Sequence, residues 1–373
     1  VTGLELLVGA EAFWRRARDD MAQARRRLLV QAMTFEGDDA GLSVARAIAD
    51  SPAGDRRVLV DDYSRFVISD RSIRGPALLQ PRWLRAEARA TRAMFDDLVR
   101  GGVKVRVTNP IGALRLNYPA RNHKKLIVTD DVAYVGGVNF SDHNFAWHDF
   151  MLRLEGAEAT AFLSDDFEHT FAGAPKAGSR GLGDLRLLSL DGRSNDQGFG
   201  EIMDLIAAAR REIIVISPYL TFPFTDALAS AAARGVTVRL ITPLANNKPI
   251  VRDYLLAVAG RFGFEVRLVR EMSHLKGLLI DDERLVVGSS NFDFASLAAE
   301  EELVAVVADR GLIAAFRREI VEPALADALP AEAFPISPLR GRLAGLGLKI
   351  AQQVARSARG ARRDAVPWPS PRV

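Results

Sequence analysis

The same short pattern occurs twice in this chain. His123, Lys125 and Asp130, followed by Gly136, Gly137, Val138 and Asn139, reappear as His274, Lys276 and Asp281, followed by Gly288, Ser289, Ser290 and Asn291. The His, the Lys and the Asp each recur 151 positions later, and the register slips by one residue only before the glycines. Histidine occurs five times in 373 residues, so a double match of this kind signals duplication rather than chance. A duplicated chain has to fold as two similar halves, each built around one copy of the pattern.

The flanks repeat as well. A helical stretch from Ala10 to Arg27 precedes an apolar run from Leu28 to Thr34, and Gly200 to Arg211 precedes Ile213 to Ser217. Strands at Val58–Asp61 and Val236–Ile241 follow, then helices around Trp83–Val99 and Pro249–Arg261, then strands at Val103–Val107 and Phe264–Leu268. Alternating strands and helices of this length predict a layered α/β fold, and the antiparallel-looking pair around each motif predicts mixed sheets. The expected organisation is two similar α/β/α halves, residues 1–172 and 200–330, forming one pseudo-twofold body. Residues 173–199, rich in Gly, Ser, Asp and Arg, read as a linker, and residues 331–373 read as a C-terminal tail.

Charge narrows the partners. Fifty Lys and Arg against 47 Asp and Glu give a formal +3. The excess is local, because residues 339–373 hold Arg340, Arg342, Lys349, Arg356, Arg359, Arg362, Arg363 and Arg372 against Asp364 alone. The tail is therefore +7 and the remaining body −4, which argues against a duplex-binding groove. There is no Cys, which removes disulfides, thiol nucleophiles and thiolate-held metals. No apolar run reaches the roughly 18 residues of a membrane-spanning helix.

Each His-x-Lys pair begins a strand, where a period of two puts His and Lys on one face. A neutral imidazole beside an ammonium suits attack on a phosphate ester or protonation of its leaving group. Phosphodiester exchange needs both a nucleophile and an acid, and two copies supply two imidazoles. The glycine turn ending in Asn139 or Asn291 allows close backbone approach and adds an amide donor for a phosphate oxygen.

With these motifs the sequence resembles the phospholipase D superfamily, whose duplicated H-x-K-x4-D signature is shared by phospholipases D, cardiolipin and phosphatidylserine synthases and some nucleases. The resemblance runs from about Leu4 to Leu329. Arg121 to Val128, Val135 to Asn139 and Trp147-His148-Asp149 are similar to the first motif of bacterial cardiolipin synthases, and Gly288 to Asp293 with Ser296 and Glu302 to the second. Gly137 stands where many members have Ser, and Phe294-Ala295 replaces the usual basic residue before Ser296.

The resemblance implies transesterification of phospholipid through a covalent phosphohistidine on His123, with His274 as the acid. It implies Lys125, Lys276, Asn139, Asn291 and Ser289 as phosphate contacts, Asp149 and Glu302 as carboxylates orienting the imidazoles, and Asp130 and Asp281 as structural. It implies no metal and no cofactor. Expected partners are a phospholipid and an alcohol or water acceptor, so hydrolysis by a phospholipase D stands beside transfer, and a nuclease is disfavoured. A peripheral enzyme at a bacterial inner membrane, or in the cytoplasm, is the expected setting.

Several residues carry simpler readings. His143, His148 and His169 have no repeat partner and read as surface or packing residues, with His148 near the site. Asp38 and Asp39 read as caps of a following helix, and Asn246-Asn247-Lys248 as a turn more than a headgroup site. In the tail, Leu339, Leu343, Leu346, Ile350 and Val354 fall on one helical face, with Arg342, Lys349, Arg356 and Arg363 recurring every seven residues beside it. That is the pattern of a helix lying on anionic lipid, although Gly345 and Gly347 disfavour the helix.

Overall fold

Each copy of the motif leads into a strand inside a mixed sheet. The computed structural model describes residues 1–73, 80–112, 117–361 and 363–369. The chain divides into two units: Val1–Ala146, Phe150–Lys176 and Ala361–Val373 in one, and Trp147–Asp149 with Ala177–Gly360 in the other.

The first unit runs β1 (Gly3–Val8), α1 (Ala10–Gln23), β2 (Arg27–Ala32), α2 (Asp39–Asp50), β3 (Asp55–Asp61), a small hairpin of β4 (Val67–Ile68) and β5 (Arg71–Ser72), α3 (Arg82–Arg100), β6 (Lys104–Thr108), β7 (Leu126–Val128), β8 (Val132–Gly136), α4 (Asp142–Ala146), β9 (Phe150–Glu155) and α5 (Ala157–Phe171). The second runs β10 (Gly178–Leu182), β11 (Leu185–Asp191), α6 (Asn195–Ala208), β12 (Glu212–Ile216), α7 (Phe224–Ala233), β13 (Thr237–Pro243), α8 (Pro249–Phe262), β14 (Glu265–Val269), β15 (Gly277–Ile280), β16 (Arg284–Gly288), α9 (Phe294–Ala298), β17 (Glu301–Val307), α10 (Arg310–Phe316), α11 (Glu322–Asp327), β18 (Leu329–Pro330) and α12 (Pro338–Ser357). A last strand, β19 (Ala365–Pro367), returns to the first sheet.

The sheet orders are β1-β9-β8-β7-β2-β3-β6-β19 and β10-β11-β17-β16-β15-β12-β13-β14-β18. In each, three strands are parallel, β2-β3-β6 and β12-β13-β14, and their joins need crossover helices. Those helices are α2 and α3 in one unit and α7 and α8 in the other. The motif strands β7 and β15 pair antiparallel to β2 and β12. Leu28, Leu29 and Val30 of β2, and Ile213 to Ile216 of β12, are all buried, as befits strands covered on both faces. Each unit has its own core, Phe13, Met21, Ile48, Phe95 and Ile127 in the first and Phe199, Ile202, Leu255, Leu278 and Val286 in the second. Asp38 caps α2, accepting from the Gly41 backbone N–H at 2.9 Å.

Two boundaries differ from the sequence reading. Residues 173–199 are not a bare linker: they carry β10, β11 and the start of α6, and β11 pairs with β17 along its whole length. Residues 331–373 are not one tail, since the chain to Gly360 belongs to the second unit and the remainder to the first. There Trp368 stacks on Phe95 with ring centroids 4.5 Å apart and donates its indole N–H to Asp96 at 2.8 Å. Arg363 is buried and lies beyond the end of α12, so it is not part of the helical stripe. Arg362 and Arg372 lie outside the described residues.

Candidate active site

In the first unit the residues before β7 are clamped from below by strand ends. Asp61, at the end of β3, accepts from Arg121 at 2.6 Å, from the Asn122 N–H at 2.6 Å and from the Tyr63 N–H at 2.7 Å. Burial pushes Asp61 up to about 6 against the opposing pull of Arg121. Gln31 of β2 donates to Asn122 at 2.8 Å. This fixes the segment from which His123 and Lys125 project, both buried. The Lys125 ammonium donates to the His123 carbonyl at 2.7 Å, so imidazole and ammonium are held together by the backbone between them. Lys124 points the other way, as alternation requires, into a buried ion pair with Asp166 of α5 at 2.6 Å.

The second unit repeats the motif geometry. Lys276 donates to the His274 carbonyl. The His274 Nδ1 lies 2.8 Å from Asp149 Oδ2, both side chains buried. The strand pairing is local too: the His274 N–H donates to the His148 carbonyl at 2.9 Å, within a parallel bridge between His148 and Ser273. Asp149 follows the first motif in sequence but pairs with the histidine of the second, so counting residues forward from His123 assigns it to the wrong imidazole. With Nδ1 held by a carboxylate, the ring is fixed in one orientation and one tautomer. Trp147 and Tyr219 flank the ring, with centroids 5.5 and 6.0 Å from it.

Glu302 is fully buried and held by two hydroxyls, Ser289 and Ser296, the latter at 2.7 Å. Ser289 also accepts from the Leu303 N–H at 2.9 Å. Its hydroxyl is thus turned to Glu302 and helps hold that carboxylate. Asn139 accepts from the Thr34 N–H at 3.1 Å. The Asn291 carbonyl accepts from Ser217 at 2.8 Å, while its side-chain Oδ1 is buried without a hydrogen-bond partner.

The remaining motif residues are architectural. Asp130 accepts from the backbone N–H groups of Arg25, Arg26 and Arg27, and Asp281 from those of Arg210, Arg211 and Glu212. Partial burial raises each carboxyl, but these bonds outweigh it and hold both below the usual range. Each Asp therefore ties the helix-to-strand turn before β2 or β12 to the end of its motif strand. A Cβ at Gly136 would meet the Phe150 carbonyl at 2.5 Å, and Gly288 sits at φ +148° with the Leu303 carbonyl oxygen inside contact distance of the Cβ it lacks. These glycines let neighbouring strands approach, a more local need than backbone approach to a phosphate.

Residues without a repeat signal lie beside the motif in each unit. Tyr219 donates to Asn247 at 2.6 Å, and the Lys248 ammonium sits 4.2 Å from the Tyr219 ring centre. Asn246 braces the turn, donating to the Pro218 carbonyl at 2.6 Å. Among these three polar residues one makes the turn and two meet the tyrosine beside His274. Near Asn139, the buried Glu36 lies with Asp38 and Glu87, their carboxylate oxygens within 4.8 Å of one another. Burial, with Glu87 and Asp38 adding to it, pushes Glu36 up to about 9 despite the Ser69 N–H. His143 stands beside this group, 3.9 Å from Glu36, and its burial lowers it.

The family described as "Cardiolipin synthase, PLD-like domain" matches residues 18–171 and 202–322. Cardiolipin synthase B of Escherichia coli K12 is 28% identical over 344 residues, covering 82% of this chain and 76% of that protein. The minor cardiolipin synthase ClsB of Bacillus subtilis is 29% identical over 242 residues, covering 57% and 58%. The crystal structure of a phosphatidylserine synthase from Haemophilus influenzae shares the fold with a TM-score of 0.71 at 16% identity, covering 96% of each chain. A polyphosphate kinase from Porphyromonas gingivalis does so at 0.57 and 13%, covering 94% of this chain and 56% of that one. With both motif copies falling inside the matched residues, the chain belongs to the cardiolipin synthase-like family of the phospholipase D superfamily and is an enzyme.

Proposed function

We propose that this enzyme transfers a phosphatidyl group between alcohols by a two-step exchange at one phosphorus. In the first step His123 Nε2 attacks the phosphorus of a phospholipid, forming a P–N bond as the bond to the headgroup oxygen breaks, and His274 gives that oxygen its proton. In the second step the hydroxyl of an acceptor attacks the phosphohistidine, His274 takes the acceptor's proton, and His123 departs. Lys125, Lys276, Asn139 and Asn291 hold the nonbridging oxygens, whose charge grows in the five-coordinate state. The repeat transfers to Glu302, with respect to His123, the orienting part that Asp149 plays for His274.

The observation that carries this reading is the buried Asp149–His274 pair at 2.8 Å. It supports the reading because a carboxylate on Nδ1 fixes the tautomer and orientation of the imidazole, which a general acid and base requires. An anionic membrane surface is the partner we assign to the C-terminal segment.

The test is product analysis by mass spectrometry from mixed phospholipids, with and without added glycerol, alongside a DNA cleavage control. Exchanged phospholipid with glycerol dependence supports transfer. Phosphatidic acid alone makes water the acceptor and the enzyme a hydrolytic phospholipase D, and cleaved DNA without lipid turnover overturns the lipid assignment.

A further inference from the structure

Helix α12 buries mostly small residues and exposes most of its large ones. Gly341, Ala344, Leu348 and Ala355 are buried, whereas Leu339, Leu343, Leu346, Ile350 and Val354 are 66, 58, 57, 60 and 52% exposed. At 100° per residue the exposed row is centred about 180° from Leu348, so it points directly away from the protein. The docked face explains the glycines: a Cβ at Gly341 would lie 2.5 Å from the Ala257 side chain and one at Gly347 3.0 Å from Ile250. They let α12 lie close on α8, and an ion pair of Arg340 with Asp253 at 2.6 Å fastens its start. Ile250 of α8, 43% exposed, extends the apolar row.

An ordinary surface helix turns its large apolar residues inward. Here five of them form one contiguous outward row, which marks an interaction surface. The charges identify what covers it. Helix α12 contains no Asp or Glu. Arg342, Lys349 and Arg356 are exposed on one flank of the row, with no carboxylate partner among the described residues. Among the described residues, no helix is long and apolar enough to cross a membrane. A partner that is apolar within and anionic at its surface fits both rows at once, and an anionic bilayer has that structure.

Resting on the membrane assignment above, we propose that α12 is an in-plane bilayer helix that inserts Leu339, Leu343, Leu346, Ile350 and Val354 into the headgroup and acyl boundary while Arg342, Lys349 and Arg356 meet anionic headgroups. Insertion, more than charge, holds the enzyme down, since burying one Leu or Ile contributes more than bringing one cation near an anionic surface.

Deleting the segment is the wrong test, because Ala344 and Leu348 belong to the core of the second unit and Trp368 to that of the first. Substitutions on the exposed face avoid this. Full-length protein, a Leu343→Ser/Leu346→Ser/Ile350→Ser variant and an Arg342→Gln/Lys349→Gln/Arg356→Gln variant are sedimented with phosphatidylglycerol–phosphatidylcholine vesicles at low and high salt. The apolar variant is expected to lose binding at both salts, by about 1,000-fold or more. The charge variant is expected to lose about 100-fold at low salt and little at high salt. A Leu346→Trp variant should shift its emission to the blue on these vesicles. Unchanged binding by the apolar variant, or an unshifted emission from the Leu346→Trp variant, overturns the proposal, as does loss of a dimer in sedimentation velocity while vesicle binding persists, which would make the row a contact between copies. Turnover of a short-chain soluble phospholipid separates this from the chemistry: if it is absent while vesicle binding behaves as stated, the reaction is misassigned and the docking helix stands.

Discussion

The two motif regions share their His-x-Lys pair and differ in what supports it. His123 with Lys125 and His274 with Lys276 have the same ammonium-to-carbonyl bond, and Asp130 and Asp281 tie down the same turn. Between His and Lys, however, the first copy has Lys124 in a buried ion pair with Asp166, where the second has buried Leu275. Before the motif, Glu36 and Thr221 occupy matching places, each donating its N–H to the loop after its motif glycines, at Phe140 and Phe292. One is a buried carboxyl among carboxylates, and the other a hydroxyl accepting from Phe294 at 3.0 Å. Both copies keep the His-x-Lys pair and the Asp tie while the supporting residues differ, so equivalent substitutions in the two copies should separate the proposed chemistry from scaffolding.

The largest effects should be the symmetrical ones. His123→Ala and His274→Ala should each lower phospholipid turnover by about 10⁴-fold or more. If one variant retains a tenth of the activity, the claim that both copies are needed is broken. Next comes the asymmetry in support. Lys124→Leu copies the second half into the first but strands Asp166, and should cost about 3–5 kcal/mol in denaturant unfolding. The double variant Lys124→Leu/Asp166→Leu should recover most of that loss.

Asp149→Asn should reduce kcat by about 100-fold or more while leaving the structure intact, because an amide still fills the site but no longer fixes the tautomer of His274. Equal loss in kcat and in folding stability would reduce Asp149 to a structural residue. The smallest effect is expected at Glu36. Its folded value near 9 lies above the ordinary 4.5, so its contribution to stability is full below pH 4.5 and is lost as pH rises through about 9. Glu36→Gln should stabilise the protein at pH 8 by about 1 kcal/mol or more and flatten the decline in Tm between pH 5 and 9. The matching Thr221→Val should show no such pH dependence.

The features legible in the sequence are those that the repeat wrote twice. The alternation of strands and helices, the mixed sheets and the paired His-x-Lys segments follow from apolar runs and shared spacing. The partner of Asp149 is not legible, because the short Trp147–Asp149 segment joins the second unit while its chain neighbours remain in the first. Asp61 and Tyr219 have no repeated signature, and their sites are set by where strands end. The hairpin of β10 and β11 reads as linker because β10 is an edge strand exposed along most of its length, so it lacks the apolar alternation that marks a strand. In α12 the outward row is visible, but the inward face is built largely from Gly and Ala, whose value lies in close approach and which leave no hydrophobic signal.

The division of labour between the copies is tested most directly by trapping the intermediate. Wild-type protein and the His274→Ala variant are reacted with a phosphodiester carrying an activated leaving group, quenched, and mapped by peptide mass spectrometry. A good leaving group dispenses with the acid, so the account predicts a phosphohistidine on His123 in both proteins and none in His123→Ala. An adduct on His274 in the wild type, or none on His123 while turnover proceeds, would contradict it.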